Sequence, residues 1–218
     1  MKIKNKTLLI TGGTGSFGNA VLNRFLHTDH FKEIRIFSRD EKKQDDMRNQ
    51  LKNDKLKFYI GDVRDYNSIE KAIRGVDYVF HCAAIKHVGL SEYNPFETTN
   101  TNIIGTKNVI TAAIENNVKK VIFTSSDKAV NPTNVMGASK RIAEIYIQAF
   151  NQVSDTNFIT TRFGNVLGSN ASVIPLFKKQ IETGGPITVT DTRITRSFMT
   201  ILDACQLVLA AASMCTRR

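Results

Sequence analysis

The sequence has 218 residues, of which 41% are hydrophobic, and a formal charge of +10. That is enough chain for one α/β core with a small appended lobe, and too little for two large domains. The lysines are scattered, at 2–6, 42–57 and 178–179, without aromatic residues interleaved in a stripe, so the charge points to an anionic small molecule and away from nucleic acid. Cys82, Cys205 and Cys215 lie far apart, leave an odd thiol and lack metal-ligand spacing. This speaks against bound metal or a disulfide framework and suits a reducing, cytoplasmic setting. Near the N-terminus only residues 8–10 form an apolar run, too short for a signal peptide or a membrane span.

In chain order, short β-rich apolar runs at 7–11, 33–38, 56–60, 77–82, 120–125 and 158–162 read as strands. Between them, 16–28, 41–51, 67–74, 95–117 and 134–151 carry helical periodicity. Strands alternating with helices predict an α/β fold of Rossmann type: a doubly wound parallel sheet with right-handed crossovers and helices on both faces. After Arg162 the breakers Gly164, Gly168, Pro175, Gly184, Gly185 and Pro186 shorten the periodic segments. We therefore expect a first domain over residues 1–165 and a partial lobe over 166–218. The last helix, about 201–214, runs straight into Cys215-Thr216-Arg217-Arg218, and this small C-terminal lobe reads as truncated.

The segment Thr11-Gly12-Gly13-Thr14-Gly15-Ser16-Phe17-Gly18 follows the first strand and opens the first helix, the context a dinucleotide fingerprint requires. Glycine allows the tight turn and close backbone approach, while the helix N-terminus offers free N–H groups to a pyrophosphate. Gly12, Thr14, Gly15, Ser16, Phe17 and Gly18 are thus the expected cofactor loop. No Gly-Lys-Ser/Thr follows, so it is not a P-loop. After the second strand, where an NAD enzyme places an acid for the ribose, the chain has Ser38-Arg39-Asp40 and then Lys43. Arg39 can pair with a 2′-phosphate in bidentate fashion, which favours NADP, while Asp40 keeps NAD open. Asp62 and Val63 after the third strand suit the adenine edge, and Ala83 and Ala84 after the fourth suit close passage of the cofactor. Ordinary turn packing competes for all four.

Ser126-Asp127-Lys128 leaves the carboxyl end of the fifth strand, the edge at which open α/β sheets bind ligands. Beyond it, Met136 and Lys140 stand at i, i+4 on a helix, the spacing of a Tyr-x-x-x-Lys dyad with methionine in place of tyrosine. A thioether neither gives nor takes a proton at neutral pH, which argues against ordinary alcohol-dehydrogenase chemistry.

With the glycine loop, Ser38-Arg39-Asp40, Ala83 to Lys86 and Thr101-Asn102, these residues resemble the extended short-chain dehydrogenase/reductases. Ile85-Lys86-His87-Val88, Asp127-Lys128-Ala129, the stretch 134–140, Arg162-Phe163-Gly164-Asn165-Val166, the stretch 172–177 and Thr195-Arg196 are similar to one branch, the UDP-N-acetylglucosamine 4,6-dehydratases of polysaccharide biosynthesis. The resemblance implies NADP as a recycled cofactor and a UDP-sugar substrate that is oxidised at C4, loses water across C5 and C6, and regains hydride at C6. It further implies Asp127 as acid, Lys128 as base, Ser126 near O4, Lys140 on the nicotinamide ribose and Met136 as a mark of the branch. For Lys128 the chemistry requires a neutral amine, and hence desolvation or a neighbouring positive charge.

Lys86 is placed against cofactor or substrate, with a solvated loop lysine as the competing reading. Asn165 and Arg196 are candidates for the nucleotide sugar, Arg196 through its diphosphate. Asn102 is divided between a structural hydrogen bond and an active-site role. His81 and His87 are read as structural, and the rings of Phe17, Phe25, Phe37, Phe58 and Phe80 as core. The rival readings are an NAD-dependent 4-epimerase and a catalytically silent dinucleotide-binding protein. Configuration at C5 leans to inversion, and the superfamily's shared helical face, here 95–117 with 134–151, implies a homo-oligomer.

Overall fold

The computed structural model describes residues 4–168, 173–189 and 191–214; Ser172 and the polar end formed by Cys215, Thr216, Arg217 and Arg218 lie outside the described residues. Strand β1 (Lys6–Thr11) sends Leu8 and Ile10 to one face and Leu9 to the other, all without solvent exposure. A strand apolar at successive positions is what a parallel sheet covered on both faces needs. Its companions are β2 (Phe31–Ser38), β3 (Leu56–Ile60), β4 (Tyr78–His81), β5 (Lys120–Ser126) and β6 (Asn157–Phe163). All pair in parallel, in the order β3-β2-β1-β4-β5-β6. This is the doubly wound Rossmann sheet that the alternating pattern predicts.

On one face lie α1 (Ser16–Leu26) and α9 (Ile201–Met214), whose Val21, Leu22, Phe25, Ala204, Cys205 and Val208 join Leu8 and Ile10 in a single core. The Nζ of Lys120 on β5 also donates to Ala212 O at 2.7 Å, tying the last helix to the sheet. Helix α2 (Glu41–Leu51), capped by Asp40, adds Met47 to that core. On the opposite face α3 (Tyr66–Ile73) and two helices farther along pack around Leu9, Val79 and Phe123. Those two are α6 (Gly105–Glu115) and α7 (Val135–Val153), the latter capped by Asn134, whose side chain accepts from Gly137 N. No helix among the described residues is long and apolar enough to cross a membrane.

The helix expected over 95–117 is interrupted. It starts as α5 (Pro95–Thr99), passes through a π-helical turn at Asn100–Ile104 and resumes as α6. The cause is Asn102: its Oδ1 accepts from Ile85 N at 2.8 Å, and its Nδ2 donates to Ile85 O at 2.9 Å and to Ser139 Oγ at 2.9 Å. The wider turn brings a buried carboxamide into register with the loop after β4, so Asn102 is a structural clamp. Three further elements lie outside the expected set. They are α4 (Val88–Tyr93), α8 (Val173–Glu182) and a two-stranded sheet of β7 (Asn165–Val166) with β8 (Phe198–Met199).

Because Leu9 is fully enclosed between β1 and the helices of one face, Leu9→Ala should cost about 2–5 kcal/mol. Urea unfolding should show a lower midpoint with an unchanged slope.

Candidate active site

Strand order reverses between β1 and β4, and the crevice beyond their carboxyl ends is where such sheets take ligands. Gly12 holds φ +65, and a Cβ on it would lie 2.8 Å from Ala83 N; a Cβ on Gly18 would lie 2.6 Å from Gly13 Cα. The loop and the β4 exit therefore touch backbone to backbone, and the loop tolerates no side chain at Gly12 or Gly18. Helix α1 starts from Gly15 with no side chain capping it and no acid in its first turn, so its positive end faces the loop undiminished. These features fit a dinucleotide pyrophosphate.

At the end of β2, Ser38 is buried, and its O and Oγ both accept from Gln44 Nε2. Asp40 is engaged as the cap of α2, accepting from Lys43 N at 3.0 Å and pairing with Lys43 Nζ at 3.0 Å. The backbone hydrogen bond from Lys43 leads the causes that hold its carboxyl below the usual range. Arg39 stays largely exposed, 3.6 Å from Asp62. Burial pushes the Asp62 carboxyl up, but hydrogen bonds from Arg64 outweigh it and keep the group ionised. Val63 is packed into the core beneath this loop.

Inward from this edge opens a cavity of about 420 Å³ lined by Ser16 and Phe17 of the loop, Cys82, Ala84 and Lys86 after β4, and Ser126 and Lys128 after β5. Met136 and Lys140 of α7 and the segment Phe163, Gly164, Asn165 and Val166 complete its walls. Ser126 caps a short 3-10 turn (Asp127–Ala129), donating from Oγ to Asp127 Oδ1 at 2.9 Å and accepting from Lys128 N at 3.2 Å. Lys128 Nζ donates to Asp127 Oδ1 at 2.9 Å and to Asn165 Oδ1 at 3.2 Å. Burial pushes the Asp127 carboxyl up, yet the hydrogen bonds from Lys128 and Ser126 hold it below the usual range. Lys128 thus meets a carboxylate and an amide oxygen, and its charged neighbour is negative, opposite to the positive neighbour that would favour a neutral amine.

Lys140 is the deeply buried lysine. Its Nζ donates to Thr124 O at 2.8 Å and sits 4.5 Å from the centre of the Phe123 ring. Burial brings its pKa down from 10.5 to about 8. His81 behind it shares hydrogen bonds with Thr11 Oγ1 at 2.7 Å and Thr106 Oγ1 at 3.0 Å. Desolvation drives its pKa to about 3, so it is a neutral structural residue. Burial likewise pushes the Cys82 thiol up to about 12, so it lines the cavity without thiolate character. Lys86 is exposed yet crowded enough that desolvation lowers its pKa, and it lines the cavity.

His87 caps α4, accepting from Leu90 N at 3.2 Å, and also borders the cavity. Arg196 stands apart: it is exposed, donates to Thr195 O at 2.9 Å and is not among the lining residues. Among the described residues no cluster of three or more His, Cys, Asp or Glu is placed to hold a metal. Among the lining residues outside the motifs, Thr124 holds Lys140 by its backbone carbonyl. Phe163, from the Arg162-Phe163-Gly164-Asn165-Val166 stretch, meets Phe17 at 5.3 Å between ring centroids.

A Rossmann sheet with this glycine loop, a lysine at the dyad position and an extended C-terminal segment defines the extended short-chain dehydrogenase/reductase class. Within it the chain belongs to the polysaccharide biosynthesis protein family, whose model matches residues 8–218. It is 57% identical over 213 residues to a protein of Rickettsia akari named UDP-glucose 4-epimerase, covering 95% of this chain and 62% of that relative. The chain thus spans less than two thirds of that relative's length. Among solved structures it is similar to Pen from Bacillus thuringiensis, at 45% identity and TM-score 0.95, with 99% of this chain and 67% of that one covered. It is also similar to a UDP-N-acetylglucosamine 4-epimerase from Methanobrevibacter ruminantium in complex with UDP-N-acetylmuramic acid. There the identity is 27% and the TM-score 0.83, over 96% of this chain and 74% of the other.

The buried lysine makes stability depend on pH with a definite sign. The unfolded chain keeps the Lys140 proton up to about 10.5, whereas the folded chain releases it near 8. Between these values the unfolded state binds more protons, so this residue's contribution to stability rises with pH; below about 8 both states are protonated and the cost of burying the charge is fully felt. Urea titrations of wild type and Lys140→Met across this window should show the wild type gaining on the variant as pH rises. A constant difference would contradict the buried ammonium.

Proposed function

We propose that the chain carries the catalytic region of an NADP-dependent nucleotide-sugar 4,6-dehydratase, a lyase acting on UDP-N-acetylglucosamine. The observation that carries this reading is the Asp127–Lys128 pair, 2.9 Å apart with Lys128 on the cavity wall, together with Met136 where a proton-accepting tyrosine would stand. A nicotinamide dinucleotide held by the loop supplies reversible hydride acceptance at C4 and donation at C6. Residues 1–165 hold that cofactor and the segment 166–218 contributes to the sugar side, Arg196 included.

The chain's own groups account for the remaining steps. Ser126 holds O4 and, donating to Asp127 Oδ1 at 2.9 Å, carries the O4 proton to that carboxylate as C4 is oxidised, which makes Asp127 the acid. Lys140 orients the ribose. The C4 ketone acidifies the C5 proton, which Lys128 removes as a neutral amine, its own proton having passed to water; the C6 hydroxyl leaves as water with the proton from Asp127. Covering the pair with a sugar removes bulk water and favours the uncharged amine and carboxylic acid over separated charges. Protonation of C5 by water on the opposite face, with Lys128 giving its proton back to water, completes the inversion.

NADP is preferred to NAD because Asp40 is occupied as a helix cap while Arg39 remains exposed to receive a 2′-phosphate. Tyr93, Phe96, Ile142 and Ile145 are exposed around α5 and α7, which supports a homo-oligomer formed through that face. A second reading, a 4-epimerase, is favoured by the names of the relatives at 55–57% identity. An epimerase returns hydride to C4 and conserves mass, whereas a dehydratase loses water.

Incubation with UDP-N-acetylglucosamine, followed by mass spectrometry and proton NMR in deuterated water, should give a 4-keto-6-deoxy product lighter by one water and deuterated at C5. An isobaric 4-epimer would support the second reading, and NADP binding without any turnover would sink both. Asp127→Asn and Lys128→Met should each slow dehydration by about 10²–10⁴-fold. For the cofactor, Arg39→Ala should weaken NADP by about tenfold or more in a fluorescence titration while leaving NAD unchanged. An equal loss for both would refute the 2′-phosphate contact.

A further inference from the structure

Glu144 lies one helical turn beyond Lys140 on α7, and its side chain is fully buried. It accepts from Arg162 through two parallel hydrogen bonds, Nε to Oε1 at 2.8 Å and an Nη to Oε2 at 2.6 Å, and from Arg141 at 3.1 Å. Burial pushes its carboxyl up, but the hydrogen bonds led by that from Arg162 hold it below the usual range, so it is a carboxylate. Arg162 sits on β6 opposite Ser125 of β5, and the next pair in register is Phe163 opposite Ser126. Two residues farther, Asn165 accepts from Lys128 Nζ. One carboxylate therefore fastens the helix bearing Met136 and Lys140 to the strand leading to Asn165, beside the strand leading to Asp127 and Lys128.

We propose that Glu144 is a positioning residue of the candidate active site: through Arg162 it fixes against α7 the end of β6 that leads to Asn165, and it supplies the buried negative charge one turn from the Lys140 ammonium. A fork of two hydrogen bonds fixes direction as well as distance, which a single ion pair at this place would not. The groups facing Lys140 from other elements are His81 and Cys82 of the β4 end and the Phe123 ring of β5. Cys82 and, after it, Glu144 oppose the desolvation of Lys140; with Cys82 still a thiol near pH 8, Glu144 is the one of the two that is charged there. Neutralising it leaves Lys140 buried with less compensation, while two arginines lose their shared partner.

The test reads Lys140 itself, without cofactor or substrate, by NMR titration of ε-carbon-labelled lysine with Lys140→Met for assignment. In Glu144→Gln, shown to be folded by circular dichroism and cooperative unfolding, the midpoint should fall by roughly one pH unit from its value near 8. Glu144→Asp, which keeps the charge, should recover most of that shift. A folded Glu144→Gln with an unmoved Lys140 midpoint overturns the proposal. Should Glu144→Gln not fold, Arg162→Lys carries the test, because it keeps both charges and removes the fork. Faster hydrogen exchange at the Asn165 amide with an unshifted Lys140 is the expected result, and unchanged exchange there overturns the proposal.

Discussion

The constraint on which the molecule depends is that a six-stranded parallel sheet can leave neither face to water. It forces β1 to be apolar at consecutive positions, with Leu8 and Ile10 serving one core and Leu9 the other. It demands helices on both sides, so every crossover returns the chain to the same edge. Six strands therefore deliver their carboxyl ends to one rim, where polar residues from separate segments can gather. The glycine loop, the Ala83 exit, the Ser126-Asp127-Lys128 turn and the Asn165 segment meet there because the sheet leaves them nowhere else. Even α9, far along the chain, is recruited to cover β5 and β6, and Lys120 joins it by hydrogen bond.

Three lysines reach this rim, and their surroundings separate their parts. Lys140 is buried over an aromatic ring and held by a backbone carbonyl, so its proton is released near 8. Lys128 is partly exposed, paired to Asp127 and also bonded to Asn165, so its Nζ stands on the cavity wall with its position fixed by two oxygens. Lys86 stands at the open side, partly desolvated and without a carboxylate partner among the influences on it, a disposition suited to an arriving anion. In the proposed reaction these correspond to holding the cofactor, moving the C5 proton and meeting the nucleotide diphosphate.

Much of this was legible in the chain because local chemistry and global fold agree at those points. The glycine loop is readable from spacing alone, since the close approach to Ala83 tolerates no side chain at Gly12. The strands are readable because burial on both faces writes uninterrupted apolar runs. What was not legible depends on contacts between distant segments. The π turn within 95–117 arises because Asn102 binds Ile85 and Ser139, and nothing in the periodicity of 95–117 announces a partner 17 or 37 residues away. The partnership of Glu144 with Arg162 was hidden for the same reason: a glutamate on an amphipathic helix reads as solvated until the sheet brings an arginine over it. Asp40 was legible as an acid at the cofactor edge, but its employment as a helix cap emerged only from the geometry.

Met136 brings these strands of argument together. It is buried, and its thioether makes one wall of the cavity at the place where a dyad tyrosine would present a hydroxyl. Replacing a phenol with an apolar group removes a proton acceptor near O4 and at the same time makes that side of the cavity drier. A drier wall raises the cost of separated charge, and Lys128, on the same cavity and paired to Asp127, is the group most affected. In the proposed reaction, losing the tyrosine therefore moves the proton chemistry from α7 to the turn after β5, where Ser126, Asp127 and Lys128 stand in hydrogen-bond contact. That chemistry works only if the turn, the helix and Asn165 keep their spacing when the sugar enters. In the positioning role proposed above, the fork between buried Glu144 and the more exposed Arg162 holds that spacing from behind, without touching the reacting atoms.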